Sequence, residues 1–182
     1  MIDIKQIIIQ QVTDGISEKL AKSLNLPETQ VKKGISIVIP YLLSALTKSG
    51  NTENILNKVE NSTIKTNLDD TSNTSSLQEL GVSLLDQFLS DQKDEIINQV
   101  SSSTQLEKST ASSLTSLVLP TVLDAIVKEK NSKGINLTDV TKMIDNVDQQ
   151  LLIKDIGTKI LDKDGDGNIA DDLFDLGKKL FK

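Results

Sequence analysis

A chain of 182 residues that carries 20 lysines, no arginine, no histidine and a formal charge of −6 lacks the groups on which most nucleic-acid recognition and acid–base catalysis depend. Histidine is the usual general base and transition-metal ligand, and arginine is the planar fork for phosphates and guanine edges. The absence of cysteine excludes both disulfides and thiolate sites.

One compact domain or two small ones are expected at this length. Apolar residues make up 37%, with one Tyr, three Phe and no Trp. Leu, Ile and Val must therefore build the interior, which suits helix packing better than strands. From the N-terminus, Met1 to Gln6 show no basic run followed by an apolar stretch and a small-residue cleavage site. This predicts no secretory signal and a cytoplasmic location. Uninterrupted apolar runs are only a few residues long, which predicts no membrane span.

Ile4, Ile7, Ile8 and Val12 mark one face of an N-terminal helix. Val31, Ile35, Val38, Ile39, Leu42, Leu43 and Leu46 then follow a three-and-four spacing, which predicts an amphipathic helix. Pro40 falls inside it, removes the hydrogen bond to the Ser36 carbonyl and crowds it, so a kink or a break is expected. Residues 61–76, NSTIKTNLDDTSNTSS, read as a linker. Leu77, Leu80, Leu84, Leu85, Phe88 and Leu89 form the next stripe. Thr138 is a candidate cap for a helix containing Val140, Ile144 and Val147. Ile153, Ile156 and Ile160 mark a further helix, and Leu173, Phe174, Leu180 and Phe181 a short terminal one.

Residues 16–46 superpose without gaps on residues 96–126. Ile16/Ile96, Ser23/Ser103, Leu26/Leu106, Ser36/Ser116, Val38/Val118, Pro40/Pro120, Leu43/Leu123 and Ala45/Ala125 match. Coincident prolines favour a duplicated helix–turn–helix unit over chance likeness between two amphipathic helices. The expected organisation is a first helical repeat over 1–60, the linker 61–76, a second repeat over 77–131 and C-terminal helices over 132–182. The fold class expected is all-α: a helical bundle of two duplicated Pro-kinked helix–turn–helix units with a C-terminal EF-hand-like helix–loop–helix.

The strongest chemical motif runs from Asp162 to Leu173, DKDGDGNIADDL. Asp162, Asp164 and Asp166 occupy places 1, 3 and 5 of a calcium loop, Gly167 permits the turn at place 6, and Asn168 offers a backbone carbonyl at place 7. The bidentate Glu usual at place 12 is replaced by Leu173. Either Asp171 or Asp172 remains to close the loop, with Asp172 placed to swing in if the exit helix starts one residue early. A metal-free turn is the competing reading, since Asp-Gly-Asp-Gly suits tight turns and paired Asp favours a helix N-terminus. Five crowded carboxylates argue for a cation. The expected ligands are Asp162, Asp164, Asp166, Asn168 and Asp172, the expected ion is calcium, and the expected affinity is weak. Such an affinity sits uneasily with resting cytosol: either the site is tighter than it looks, or export occurs by a route the sequence does not reveal.

With the segment Leu20–Gln30, the helix Gly34–Leu46 with Ile39-Pro40-Tyr41-Leu42-Leu43, and the tail Asp164–Leu173 in view, the chain resembles the YidB-like family of bacterial proteins, a family of unknown function. Asn25 stands where Gly is common in the family. The resemblance implies a helical fold and no particular activity.

The functional expectation is a non-catalytic helical module that binds calcium, orders its last helix around it, and acts through a protein partner or self-association. Glutamates are scattered over polar helix faces, and no histidine exists to activate a serine; a Ser–Lys pair is conceivable but unmotivated. The alternative is a helix-turn-helix-like nucleic-acid binder without metal dependence, against which acidity and the lack of arginine weigh.

Overall fold

The computed structural model describes residues 4–11, 16–48, 50–62 and 74–156. Among them the regular structure is helical and contains no strand. The elements are α1 (Ile4–Gln11), α2 (Ser17–Leu24), α3 (Glu28–Lys48), α4 (Thr52–Glu60), α5 (Thr74–Phe88), a 3₁₀ turn (Ser90–Gln92), α6 (Lys93–Thr104), α7 (Lys108–Ser132), α8 (Leu137–Asp145) and α9 (Gln149–Ile156).

Two long helices form the centre. Helix α3 packs against α2, α6 and α7, while α7 is flanked in addition by α1, α4 and α5. The reason lies in their sequences. Every residue from Ile35 to Leu46 is buried, and so is every residue from Leu114 to Leu123. A helix apolar on all sides must be surrounded, and the shorter amphipathic helices do this. Buried residues from both halves of the chain form one hydrophobic cluster. Helix α7 is long and apolar enough to cross a membrane, but 78% of its most apolar window is buried inside the bundle. Core packing thus accounts for its composition.

Neither proline breaks its helix. Pro40 lies within α3 and Pro120 within α7, and each helix is continuous through it. A proline in a helix interior costs about 3 kcal/mol. Burying one large aliphatic side chain returns about 1.5 to 3 kcal/mol, so the apolar turns on both sides outweigh the break. The serines four residues upstream behave alike: Ser36 Oγ donates to the Lys32 carbonyl at 2.7 Å and Ser116 Oγ to the Ser112 carbonyl at 2.9 Å.

The corners entering the two central helices are also alike. Asn25 has φ 54° and Gln105 has φ 59°, both left-handed. After α2, Leu26 N–H donates to the Ala21 carbonyl at 2.9 Å, which closes the helix end in a Schellman-type turn.

Three boundaries differ from the sequence expectation. Helix α5 starts at Thr74, so the end of the 61–76 segment is helical: burial of Leu77 and Leu80 draws the preceding turn in. Helix α8 is capped by Asn136, whose Oδ1 accepts from Asp139 N–H at 2.8 Å. Thr138 sits inside the first turn and reaches Glu53 at 3.3 Å instead. Helix α8 also ends at Asp145, before Val147.

Candidate functional site

The residues expected to hold calcium, Asp162, Asp164, Asp166, Asn168 and Asp172, lie outside the described residues, as do Asp171 and the terminal apolar residues Leu173, Phe174, Leu180 and Phe181. The approach to the loop is described. Helix α9 is started by Asp148, whose Oδ1 accepts from Leu151 N–H at 3.0 Å. It packs on α3, and Asp155 near its end forms an ion pair with Lys5 of α1. The helix that precedes the acidic motif in sequence is therefore held by both α3 and α1. Among the described residues no group of three or more Asp, Glu, His or Cys side chains is gathered as a metal site.

Several of the described hydroxyls bond backbone carbonyls. Ser101 Oγ donates to the Leu106 carbonyl at 2.6 Å and Ser102 Oγ to the Asn98 carbonyl at 2.9 Å. Both line an open groove of about 580 Å³ with Glu95 and Lys108. One Ser–Lys pair does form: Lys58 Nζ donates to Ser83 Oγ at 2.7 Å. The same nitrogen donates to Gln87 Oε1 at 2.6 Å. It donates to two neutral acceptors and so ties α4 to α5.

Next to the groove lies the one tyrosine of the chain. Tyr41 is fully buried on α3, and its phenol donates to Glu95 Oε1 at 3.2 Å. Burial first, then the Glu95 charge and hydrogen bond, push the phenol well above its ordinary ionisation range. Both effects favour the neutral form.

A second feature is a cavity of about 190 Å³ between the C-terminal part of α3 and the turn joining α5 to α6. Ser44 and Ala45 line it from α3, Phe88, Leu89, Asp91 and Gln92 from the turn. Ser44 is wholly buried, and its Oγ has no hydrogen-bond partner. Among the described residues the other buried hydroxyls are all met. Ser17 reaches Glu28, Thr52 the Leu46 carbonyl, and Ser36, Thr104, Thr115, Ser116 and Thr121 each bond the carbonyl four residues back. Sequence reasoning missed this site because Ser44 looks like any small polar residue in a helix.

A helix-turn-helix reading would need one helix of each pair free to enter a groove. Here the second helices, α3 and α7, bury their middle turns in the core, so neither offers that stretch as a recognition surface.

Comparison with curated proteins and comparison with solved structures each found no match. A family model does match, over residues 6–129 and over residues 86–180, in keeping with the resemblance drawn from the Pro40 helix and the acidic tail. The chain belongs to the family described as bacterial protein of unknown function (DUF937).

Proposed function

We propose that this protein is a non-catalytic helical interaction module built from two duplicated helix–turn–helix units, with a C-terminal EF-hand-like segment that calcium orders. The observation that carries the calcium reading is the spacing of Asp162, Asp164, Asp166, Gly167 and Asn168, which is the spacing that wraps oxygen ligands around that ion. It is supported by α9, a helix docked on α3 and paired with α1, which gives the chain a fixed base ahead of the motif in sequence. Calcium would join that base to the terminal helix and allow Leu173, Phe174, Leu180 and Phe181 to pack. Binding without the closing Glu falls in the weaker part of the range for such loops, about 10⁻⁶ to 10⁻³ M.

The duplication is supported by features that recur at a constant spacing of eighty residues: the left-handed corners Asn25 and Gln105, the serine back-bonds at Ser36 and Ser116, and the in-helix prolines. The family model aligning twice, on overlapping spans, supports it too.

The test is thermal unfolding of the intact chain in calcium and in chelator, repeated with Asp164→Ala/Asp166→Ala. A melting temperature that rises with calcium and a variant that no longer responds are expected. Identical melting of the unaltered chain in both conditions would remove the calcium reading.

A further inference from the structure

We infer that the turn of α3 carrying the Ser36 carbonyl is a docking surface for the segment 153–159 of the same chain, with Gly157 resting on that carbonyl as Gly81 of α5 rests on the Ser116 carbonyl of α7. The inference rests on the duplication proposed above and adds an occupant to it. Three observations lead there. The first is a pair of equivalent surfaces. Pro40 and Pro120 lie inside α3 and α7. Lacking an N–H, each leaves the carbonyl four residues back, Ser36 or Ser116, without its helix donor. On α7 that carbonyl is covered by Gly81, where a Cβ would stand 2.8 Å from Ser116 Cα. Only a residue without a side chain lets two backbones come so close, and its Cα–H groups offer the carbonyl a weak hydrogen bond. Ser36 is as fully buried as Ser116.

The second is a repeated pattern. Leu77, Leu80, Gly81, Leu84, Leu85 and Asp86 recur at a constant spacing of 76 as Ile153, Ile156, Gly157, Ile160, Leu161 and Asp162. Glycine, leucine and aspartate are kept, and the other three exchange one aliphatic residue for another. The third is placement. Helix α9, which ends one residue before Gly157, packs on α3. Asp155 of α9 is the counterpart of Glu79, and at the spacing of 80 Lys5 of α1 is the counterpart of Leu85. Those two positions lie less than two turns apart on the single helix α5. On the other side an ion pair between two helices joins them, so α9 and α1 stand as the two parts of a divided α5. Helix α1 begins at Ile4, the counterpart of Leu84, which is why the docked segment ends at Lys159, the counterpart of Ser83. The two units then clasp each other: α5 of the first holds α7, and the end of the second holds α3.

The test is nuclear Overhauser spectroscopy of the isotope-labelled full chain. The Hα protons of Gly81 and Ser116 supply the reference, and a contact of similar strength between the Hα protons of Gly157 and Ser36 is expected. It should appear in calcium and in chelator alike, which keeps its failure separate from failure of the calcium reading. Absence of that contact while the reference is present would overturn the docking. Helix orientations from residual dipolar couplings on the same sample test the duplication. Unequal angles for α2–α3 and α6–α7 would overturn it and the docking with it, whereas equal angles without the Gly157 contact would overturn the docking alone. In a mixture of labelled and unlabelled chains, a contact found only between chains would give the surface to a second copy and overturn closure within one chain. Gly157→Ala should lower the melting temperature by about 5 °C, because the obstructing atoms are backbone. In an unobstructed helical turn alanine would instead raise it by about 3 °C, and a rise would overturn the docking.

Discussion

Gly81 of α5 lies directly on the Ser116 carbonyl of α7. A methyl group placed on Gly81 would come within 1.6 Å of that oxygen and 2.4 Å of its carbon. Ser116 is the residue four positions before Pro120, so its carbonyl is the helix acceptor that Pro120, having no N–H, cannot satisfy. A glycine brings backbone into contact where any side chain would hold the helices apart, and its Cα–H groups offer a weak hydrogen bond to the freed oxygen. The proline and the glycine are thus two halves of one arrangement, which fastens α5 to the central helix.

Gly81→Ala should therefore be severe. The obstructing atoms are backbone and cannot turn aside, so the helices must separate, at a cost of about 3 kcal/mol or more. Gly34 is the control. A methyl there would meet Leu114 Cδ2 at 2.4 Å, the tip of a side chain that can change rotamer. Alanine also gains about 1 kcal/mol of helix propensity over glycine, so Gly34→Ala should change stability by about 1 kcal/mol or less. Urea unfolding of both variants checks the contrast: a large fall in midpoint for the first and a small shift for the second.

Gln105 holds a left-handed conformation at φ 59°, which disfavours a residue with a Cβ by about 1 to 2 kcal/mol. Gln105→Gly should raise stability by about 0.5 kcal/mol after the extra chain entropy of glycine is counted. Asn25→Gly at the matching corner should gain less, because asparagine tolerates this region. Chemical denaturation should show the larger gain at Gln105.

Because Tyr41 is the only tyrosine, absorbance of tyrosinate reports on one buried group. Its ionisation is raised above the ordinary value of 10.0, so folding favours the protonated phenol. The stability this contributes is present in full below pH 10 and is lost as the pH rises beyond it. Alkaline titration should show no tyrosinate at the pH where free tyrosine ionises, then its appearance together with loss of helical signal. Tyr41→Phe should remove the phenol's share of this alkaline sensitivity. It should cost about 1 kcal/mol at neutral pH, since Glu95 is exposed and stays solvated.

Glu60 of α4 takes Lys130 Nζ of α7 at 2.9 Å, with the lysine side chain 12% exposed and the glutamate 30%. The lysine's hydrogen bond is the main cause that lowers the Glu60 ionisation below its reference of 4.5. A carboxylate lowered in the folded state adds stability above the unfolded value, and this is lost as the pH falls through the folded one. Glu60→Gln should flatten the acid limb of a stability profile below about pH 4.5. Solvent screening keeps the effect at neutral pH under about 1 kcal/mol. Melting temperatures from pH 3 to 7 provide the measurement.

Much of this architecture can be read from spacing. Ile35, Val38, Ile39, Leu42, Leu43 and Leu46 announce a helix by period, and Leu77 to Leu85 announce another. The details that escape depend on partners distant in sequence. Nothing local says that α3 and α7 remain whole at their prolines, because the compensation comes from helices packed on every side. Thr138 and Asn136 are both good caps by type, and the choice falls to Asn136, two residues after Gly134, whose φ of 63° turns the chain out of α7. Gly81 looks like a weak point in a helical stripe until Ser116 is seen beneath it. The acidic motif is legible by residue type alone, whereas the Ser44 cavity is visible only once the α5–α6 turn is laid against α3.

The ion pair between Lys5 and Asp155 brings the first described helix beside the last. A fluorophore attached ahead of α1 would accordingly stand close to the end of α9, and a second dye can be attached beyond Phe181. Energy transfer between such labels would convert ordering of the aspartate-rich stretch into a distance, readable in a single molecule without altering any aspartate.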